Sequence, residues 1–285
     1  MGVEGDNNLL ALQCWLKTRT HLPQNIEPLL LRRYIQSCRN DLEKAKKLLE
    51  FSFTMRNNNP QIFLQRDPTD KITQKVLEIV DMIPLPNTTK ENYKVLFYRL
   101  VDFGTENYHF TEIIKLFFMV ADVRLITPDP NGLTDGEIPI FDMTGFSLRH
   151  LTKVVLSSLR CYMKYTQEAH PVRLKQIHVI NCSPFLDRVL ALLKPFIKSE
   201  VFKLIHFHAP GADTLYKFVP LELLPNEYGG KAGSLGVLKK EMVEKLMSNR
   251  EYLMDESRWK LQSTTKGSQK IEQEVNANFR TLSID

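Results

Sequence analysis

The sequence predicts an α/β protein: a mostly parallel sheet with helical crossovers, preceded by an all-helical N-terminal subdomain. Three observations carry this. Through the first eighty-odd residues, apolar side chains recur only at helical spacing. From Val95 onward, short β-branched and aromatic runs alternate with longer amphipathic runs, strand–helix–strand–helix–strand–helix–strand, the order of parallel strands joined by crossover helices. After Gly230 the periodicity is helical again.

The elements follow in order. Leu9, Leu10, Leu12, Trp15 and Leu16 form a first apolar face, stopped near Pro23. Pro28 suits the first turn of a second helix, which runs to about Ser37. Asp41 is an N-cap for a third, where Leu42, Ala45, Leu48, Leu49 and Phe53 recur at helical spacing. The run R-N-N-N-P at 56–60 ends it, and Thr69 or Asp70 caps a short helix that stops before Pro84. Residues 95–101 alternate and read as a strand. Thr111-Glu112 opens a helix that is apolar nearly all round (Ile113, Ile114, Leu116, Phe117, Phe118, Val120), as complete burial requires. A turn-rich loop at 128–136 leads to a short buried strand, 138–141, ending at Asp142. Ser147 caps a long helix through Leu148, Leu151, Val154, Val155, Leu159 and Tyr162, ended by Pro171.

A strand at Ile177, Val179 and Ile180 comes next. Ser183 is a good N-cap and Pro184 a good first helical residue. Phe185, Val189, Leu192, Leu193 and Phe196 then fall at offsets 0, 4, 7, 8 and 11, one helix stripe. An apolar strand at 204–207 follows, so an amphipathic helix lies between two strands. Such a helix is either plain core or a movable cover, and periodicity alone does not choose. Helices are expected at about 235–247 and 250–253; residues 262–278 are polar, with Phe279, Leu282 and Ile284 able to dock back.

Composition narrows the function. The 285 residues carry 38 Lys and Arg against 33 Asp and Glu, a net charge of +5, weaker than a dedicated nucleic-acid binder shows. Cysteines stand at 14, 38, 161 and 182, without a CxxC pair or zinc-ligand spacing. The N-terminus does not read as a signal peptide, and Asp6 stands where myristoylation wants Ser or Thr. The longest apolar run, 113–126, is broken by Lys115, Asp122 and Arg124, too short and too charged for a membrane span. A soluble, cytoplasmic, monomeric protein is expected, with the sequons at Asn87 and Asn181 incidental.

Catalytic signals are weak. The glycine-rich Y-G-G-K-A-G-S-L-G follows P-N-E rather than a strand, and Ala232 follows Lys231, so it is neither a Rossmann fingerprint nor a P-loop. There is no G-x-S-x-G. Cys161 and Cys182 could pair with His150, His178, His206 or His208 as a thiol–imidazole couple, but neither has an activated setting. His206 and His208 share a strand face without a third ligand; with His178 they read as satisfied, partly buried imidazoles. Asp142 ends a strand where α/β enzymes place carboxylates, yet reads better as a turn or cap residue. No enzyme, metal or cofactor is expected.

Several motifs occur together and in order: L-L-R-R-Y-I, N-D-L-E-K-A, V-L-F-Y-R-L, I-F-D-M-T-G, I-H-V-I-N, L-K-P-F, I-H-F-H and L-P-N-E-Y-G-G. On these residues, across roughly 9–250, the chain resembles the CRAL-TRIO family of cytosolic lipid-binding proteins, leaning towards its tocopherol- and retinaldehyde-binding branch. The ending F-R-T-L-S-I-D looks like the tail of arthropod members. The resemblance implies a non-enzymatic fold that encloses an apolar pocket, closed by a helix that opens at membranes. It divides the chain into a helical subdomain (1–84), a lipid-binding domain (85–250) with its lid at about 184–196, and a polar tail (251–285). The implied cargo is a retinoid, tocopherol, carotenoid or terpenoid hormone; the competing reading is a phosphoinositide-sensing trafficking adaptor.

Alternation places Leu96 and Tyr98 on one strand face, where Tyr98 can offer a hydroxyl to a ligand. The resemblance adds Ile114, Phe117 and Ala121 from the buried helix and Phe141 from the second strand. It adds Tyr162, Tyr165 and Thr166 from the long helix, then Leu174 and Ile177, and Phe185, Val189, Leu192 and Leu193 from the lid. It implies anionic-membrane contact, with phosphoinositide as a candidate headgroup, through Arg173, Lys175 and Lys194, with Phe196 beside them. Glu200 and Leu204 interrupt that basic set, and Lys198 and Lys203 stand in for the missing positions.

Overall fold

The computed structural model describes residues 3–130 and 132–262. The expectations for residues 263–278 and for Phe279, Leu282 and Ile284 lie outside them. Five helices come first: α1 (Val3–Lys17), α2 (Pro28–Ser37), α3 (Leu42–Asn57), α4 (Pro60–Phe63) and α5 (Lys71–Ile79). Asp41 and Asp70 cap α3 and α5, accepting from the backbone N–H groups of Lys44 and Ile72. Leu12, Leu16, Leu31, Tyr34, Leu49 and Phe53 close one core with Trp259 from the far end of the chain.

The sheet begins earlier than the sequence predicts. Strand β1 (Val80–Thr88) runs through Pro84, where a helix end is expected, and pairs antiparallel with β2 (Tyr93–Leu100). A proline is tolerated there because β1 is an edge strand and its register shifts between Pro84 and Thr88. The chain continues through α6 (Phe110–Ile126), β3 (Gly136–Asp142), α7 (Leu148–Leu151), α8 (Leu156–Glu168), β4 (Ile177–Ile180), α9 (Leu186–Leu193), α10 (Ser199–Phe202) and β5 (Ile205–Phe207). It finishes with α11 (Leu235–Ser248) and α12 (Arg250–Met254). The strand order is β1-β2-β3-β4-β5, parallel from β2 onward.

Two helices differ from expectation. The single long helix after Ser147 is divided: α7 ends at Leu151 and α8 starts at Leu156. Thr152, Val154 and Val155 supply β-branched side chains of low helix propensity at that break. Helix α9, the one expected to act as a lid, starts at Leu186, with Phe185 as a non-helical N-cap, rather than at Pro184. Pro195 then tightens its end into a 3₁₀ turn over Lys194–Phe196.

Strand alternation gives the sheet two different faces. Ile83, Phe97 and Ile140 lie in register on one, against Leu215, Val219, Leu224, Leu235 and Leu238. Met82, Tyr98, Phe141, Val179 and Phe207 lie in register on the other, one from each strand. The L-P-N-E-Y-G-G segment fastens α11 to the sheet. Glu227 accepts from the Leu235 N–H, Tyr228 donates to Asp142, and a Cβ on Gly230 would stand 1.9 Å from the Leu224 carbonyl oxygen. Only glycine fits that approach.

Buried charge ties the helical unit to α6. Arg56 donates to both oxygens of Asp122 at 2.7 and 2.6 Å, and Arg66 donates to one of them. All three are buried. Burial alone would raise the Asp122 pKa, but the two guanidinium groups overcome it and hold the carboxyl at about 2. Trp259 covers both guanidiniums, at 4.8 and 4.3 Å from ring centroid to Arg56 and Arg66.

Candidate functional site

The unmatched face of the sheet floors a cavity of about 400 Å³. That is within the ~300–1,000 Å³ typical of pockets that bury a drug-sized ligand. The in-register row Met82, Tyr98, Phe141, Val179 and Phe207 crosses the floor, with Leu96, Pro139, Leu174, Ile177 and Ile205 beside it. Ile113, Ile114 and Phe117 of α6 form one wall; Leu159, Tyr162, Met163 and Thr166 of α8 form another. Val154 enters through the break between α7 and α8. Tyr98 stacks on Phe141 at 5.0 Å and Phe117 meets Tyr162 edge-on at 4.9 Å, which fixes the aromatic lining.

Helix α9 closes the remaining side. Leu186, Val189, Leu190, Leu192, Leu193 and Ile197 line the cavity. None of the α9 residues is fully buried, unlike the helices of the core. Asp187, Arg188 and Ala191 are exposed on its outer face. The end of α9 is tied to α8 by Gln167, which donates to the Phe196 carbonyl at 2.8 Å and accepts from the Lys198 N–H at 2.8 Å.

Of the residues assigned to the ligand, Leu96, Tyr98, Ile114, Phe117, Phe141, Tyr162, Thr166, Leu174, Ile177, Val189, Leu192 and Leu193 line this cavity. Three do not. Ala121 lines a side void of about 10 Å³. Tyr165 turns into the helical unit, where its hydroxyl bonds Ser52 at 2.8 Å and accepts from Arg56 at 2.7 Å. Phe185, outside the helix, packs on Phe146 with ring centroids 6.3 Å apart. Leu186, Leu190 and Ile197 take the stripe positions that Phe185 and Phe196 were expected to fill. The reason is local: Phe185 lacks helical backbone angles, and the Pro195 turn carries Phe196 towards Arg160, 5.9 Å away.

The basic residues are dispersed. Arg173 pairs with Asp135 at 3.1 Å, Lys198 pairs with Glu168 at 3.2 Å, and Lys175 sits 4.8 Å over the Tyr93 ring. Lys194 and Lys203 are exposed. The expected set is therefore partly engaged within the protein.

The groups that resemble catalytic ones are held in structural roles. Asp142 accepts from the Thr144 N–H and hydroxyl, from Asn181 and from Tyr228. Burial pushes the Cys161 thiol up to about 12, and burial also raises Cys182, whose thiol donates to the Val179 carbonyl. His178 bonds His208 at 3.0 Å and Gln176 at 3.2 Å, while His208 also bonds Thr214 at 2.7 Å. Among the described residues no His, Cys, Asp and Glu group is gathered to hold a metal, and no helix is long and apolar enough to cross a membrane.

Sequence reasoning missed the polar residues at one end of the cavity. Glu137, Gln167 and His170 line it, and Arg124 donates to Glu137 from the neighbouring void. Desolvation raises the Glu137 pKa against the pull of Arg124. Desolvation, then Arg124, pushes His170 down to about 3, so its imidazole is neutral. The one signal was a charge inside apolar periodicity: Arg124 and Asp122 look like interruptions of a buried helix.

The comparisons agree with this architecture. Residues 81–230 match the CRAL/TRIO domain, and residues 4–73 match a Pinta-like UBA domain. An alpha-tocopherol transfer protein-like protein of Homo sapiens is 25% identical over 219 residues, covering 77% of this chain and 63% of the relative. Clavesin-1 of Rattus norvegicus is 25% identical over 200 residues, 70% of this chain and 55% of that protein. The chain thus spans under two-thirds of the length of these curated relatives. The crystal structure of Sfh5 superposes with a TM-score of 0.55 at 14% identity, covering 88% of this chain and 98% of that one, a likeness of fold. With the domain matched over residues 81–230, more than half of the sequence, this chain belongs to the CRAL/TRIO domain family.

Proposed function

We propose that this protein binds a hydrophobic small molecule in the lidded cavity and transfers it between membranes, without a chemical step. The observation that carries this is the cavity: about 400 Å³, apolar on its floor, both walls and lid. The cargo is of the isoprenoid kind, a retinoid, tocopherol, carotenoid or terpenoid hormone. The family membership and the likeness to an alpha-tocopherol transfer protein-like relative support it.

The lid supplies the gate. Exposing a buried large apolar side chain to water costs about 1.5–3 kcal/mol. Six half-buried lid residues at roughly half that value would cost about 5–9 kcal/mol to turn out into water. Closed is therefore the stable state in water. At a bilayer the same stripe inserts at the headgroup–acyl boundary and most of that cost is offset. Lys194, at the end of α9, and Lys203, at the end of α10, are exposed and attract anionic lipid at about 1 kcal/mol each. Mass spectrometry of an organic extract of protein purified from its native source tests the reading. A stoichiometric isoprenoid is expected; an extract without lipid, together with no saturable binding of such compounds, would refute it.

A further inference from the structure

The polar end of the cavity has more hydrogen-bonding capacity than the fold uses. Arg124 Nη2 donates to Glu137, but Arg124 Nη1 is buried and has no partner among the described residues. His170 Nδ1 is likewise buried and unpartnered. Exposure is 7% for Arg124, 5% for Glu137 and 9% for His170. Glu137 and His170 line both the cavity and the side void; Arg124 reaches that void. Buried polar nitrogens are almost always paired, so two unpartnered ones beside a void that shares Glu137 and His170 with the cavity point to a group the ligand brings. The void, about 10 Å³, has room for one oxygen of a head group that enters from the cavity, and is too small for the ligand's body.

The surrounding charge indicates which group. Arg33 and Lys94 share Asp129, at 3.0 and 3.3 Å, while Arg124 has Glu137. Three buried cations thus face two buried carboxylates. Behind His170, Arg56 and Arg66 share the single carboxylate of Asp122, again one positive charge in excess. Little water screens these groups, so an anion placed here is favoured over a neutral head of the same size. The guanidinium fork can hold Glu137 on one edge and a second carboxylate on Nη1, and the neutral His170 ring offers that carboxylate a second contact.

We propose that Arg124, Glu137 and His170 form a headgroup subsite, and that the ligand is an amphiphile with a carboxylate at the end of a long apolar body. The proposal rests on the carrier reading above and goes further by fixing the head chemistry. Retinoic acid and retinol share a hydrocarbon body and differ in the head, so their affinities for the full chain at pH 7 separate the two questions. The acid should bind about tenfold more tightly than the alcohol, the effect of one charge-assisted hydrogen bond. In Arg124→Met/Glu137→Met, which removes the pair without stranding either charge, the acid-to-alcohol ratio should fall to near one. A thermal melt establishes that this variant is folded; Arg124→Gln, which keeps a neutral donor, should give an intermediate ratio. Equal affinities in the unaltered protein, or a preference for acid that persists in the double variant, overturn the subsite and leave the carrier reading standing. Saturable binding of neither retinoid overturns the carrier reading for this ligand class, and the subsite with it.

Discussion

Replacing Asp122 with Asn should destabilise the protein by about 3–5 kcal/mol at pH 7, the cost of stranding buried charge. Asp122 stands between two buried guanidiniums, accepting three hydrogen bonds. Two contributions add up to the effect. The folded carboxyl lies at about 2, against ~3.9 in an unfolded chain, and ~1.4 kcal/mol per unit gives on the order of 2–3 kcal/mol from the charge alone. The remainder is the desolvation of Arg56 and Arg66 once their shared partner is neutral. The sign follows from the depressed folded pKa. The contribution is fully present above about pH 4 and lost as the pH falls through about 2, so wild type and variant should converge in acid. Urea unfolding at pH 7 and across the acid range measures this directly. A gap below ~1 kcal/mol at pH 7 would refute the reasoning, because surface pairs have that value. So would a gap that acid does not narrow. The variant should also weaken ligand binding, because Asp122 anchors the helix whose Ile113, Ile114 and Phe117 wall the cavity.

Three further outcomes are expected. Val179→Trp, on the cavity floor, should fill ligand space and weaken isoprenoid binding at least about tenfold while the thermal midpoint changes little; titration with a fluorescent retinoid checks it. Leu190→Asp places a charge on the cavity face of the lid, so bound ligand should dissociate faster by roughly tenfold or more, read by stopped-flow exchange. Burial, then His208 and His206, pushes His178 down to about 3, and burial with Arg124 does the same to His170. Unfolding therefore takes up protons: stability is full above about pH 6.5 and falls towards pH 3 by up to ~1.36 kcal/mol per pH unit for each ring. His178→Gln should flatten that slope in melts recorded against pH.

Residues with one plausible neighbour set were readable from the sequence. The alternation V-L-F-Y-R-L places Leu96 and Tyr98 on one face, and both reach the cavity. The all-round apolar character of residues 113–120 matches the burial of α6. What could not be read depends on backbone departures and on partners distant in sequence. Pro84 suggests a helix boundary, yet an irregular edge strand accommodates it. Phe185 fits the stripe by spacing, but its non-helical backbone sends it to Phe146. The resemblance puts Tyr165 on a cavity wall, but Arg56, 109 positions earlier, claims its hydroxyl. The Arg124–Glu137 pair joins a helix to a strand across a turn-rich loop, and neither residue carries a motif.

The central claim is that cargo leaves through a lid that membranes open. The direct measurement is transfer of a fluorescent retinoid from the loaded protein to acceptor vesicles, with vesicle concentration and anionic lipid content varied independently. Gating at the bilayer predicts a rate that climbs with vesicle concentration and with anionic lipid and falls with added salt. A rate indifferent to all three, set only by dissociation into water, would contradict it.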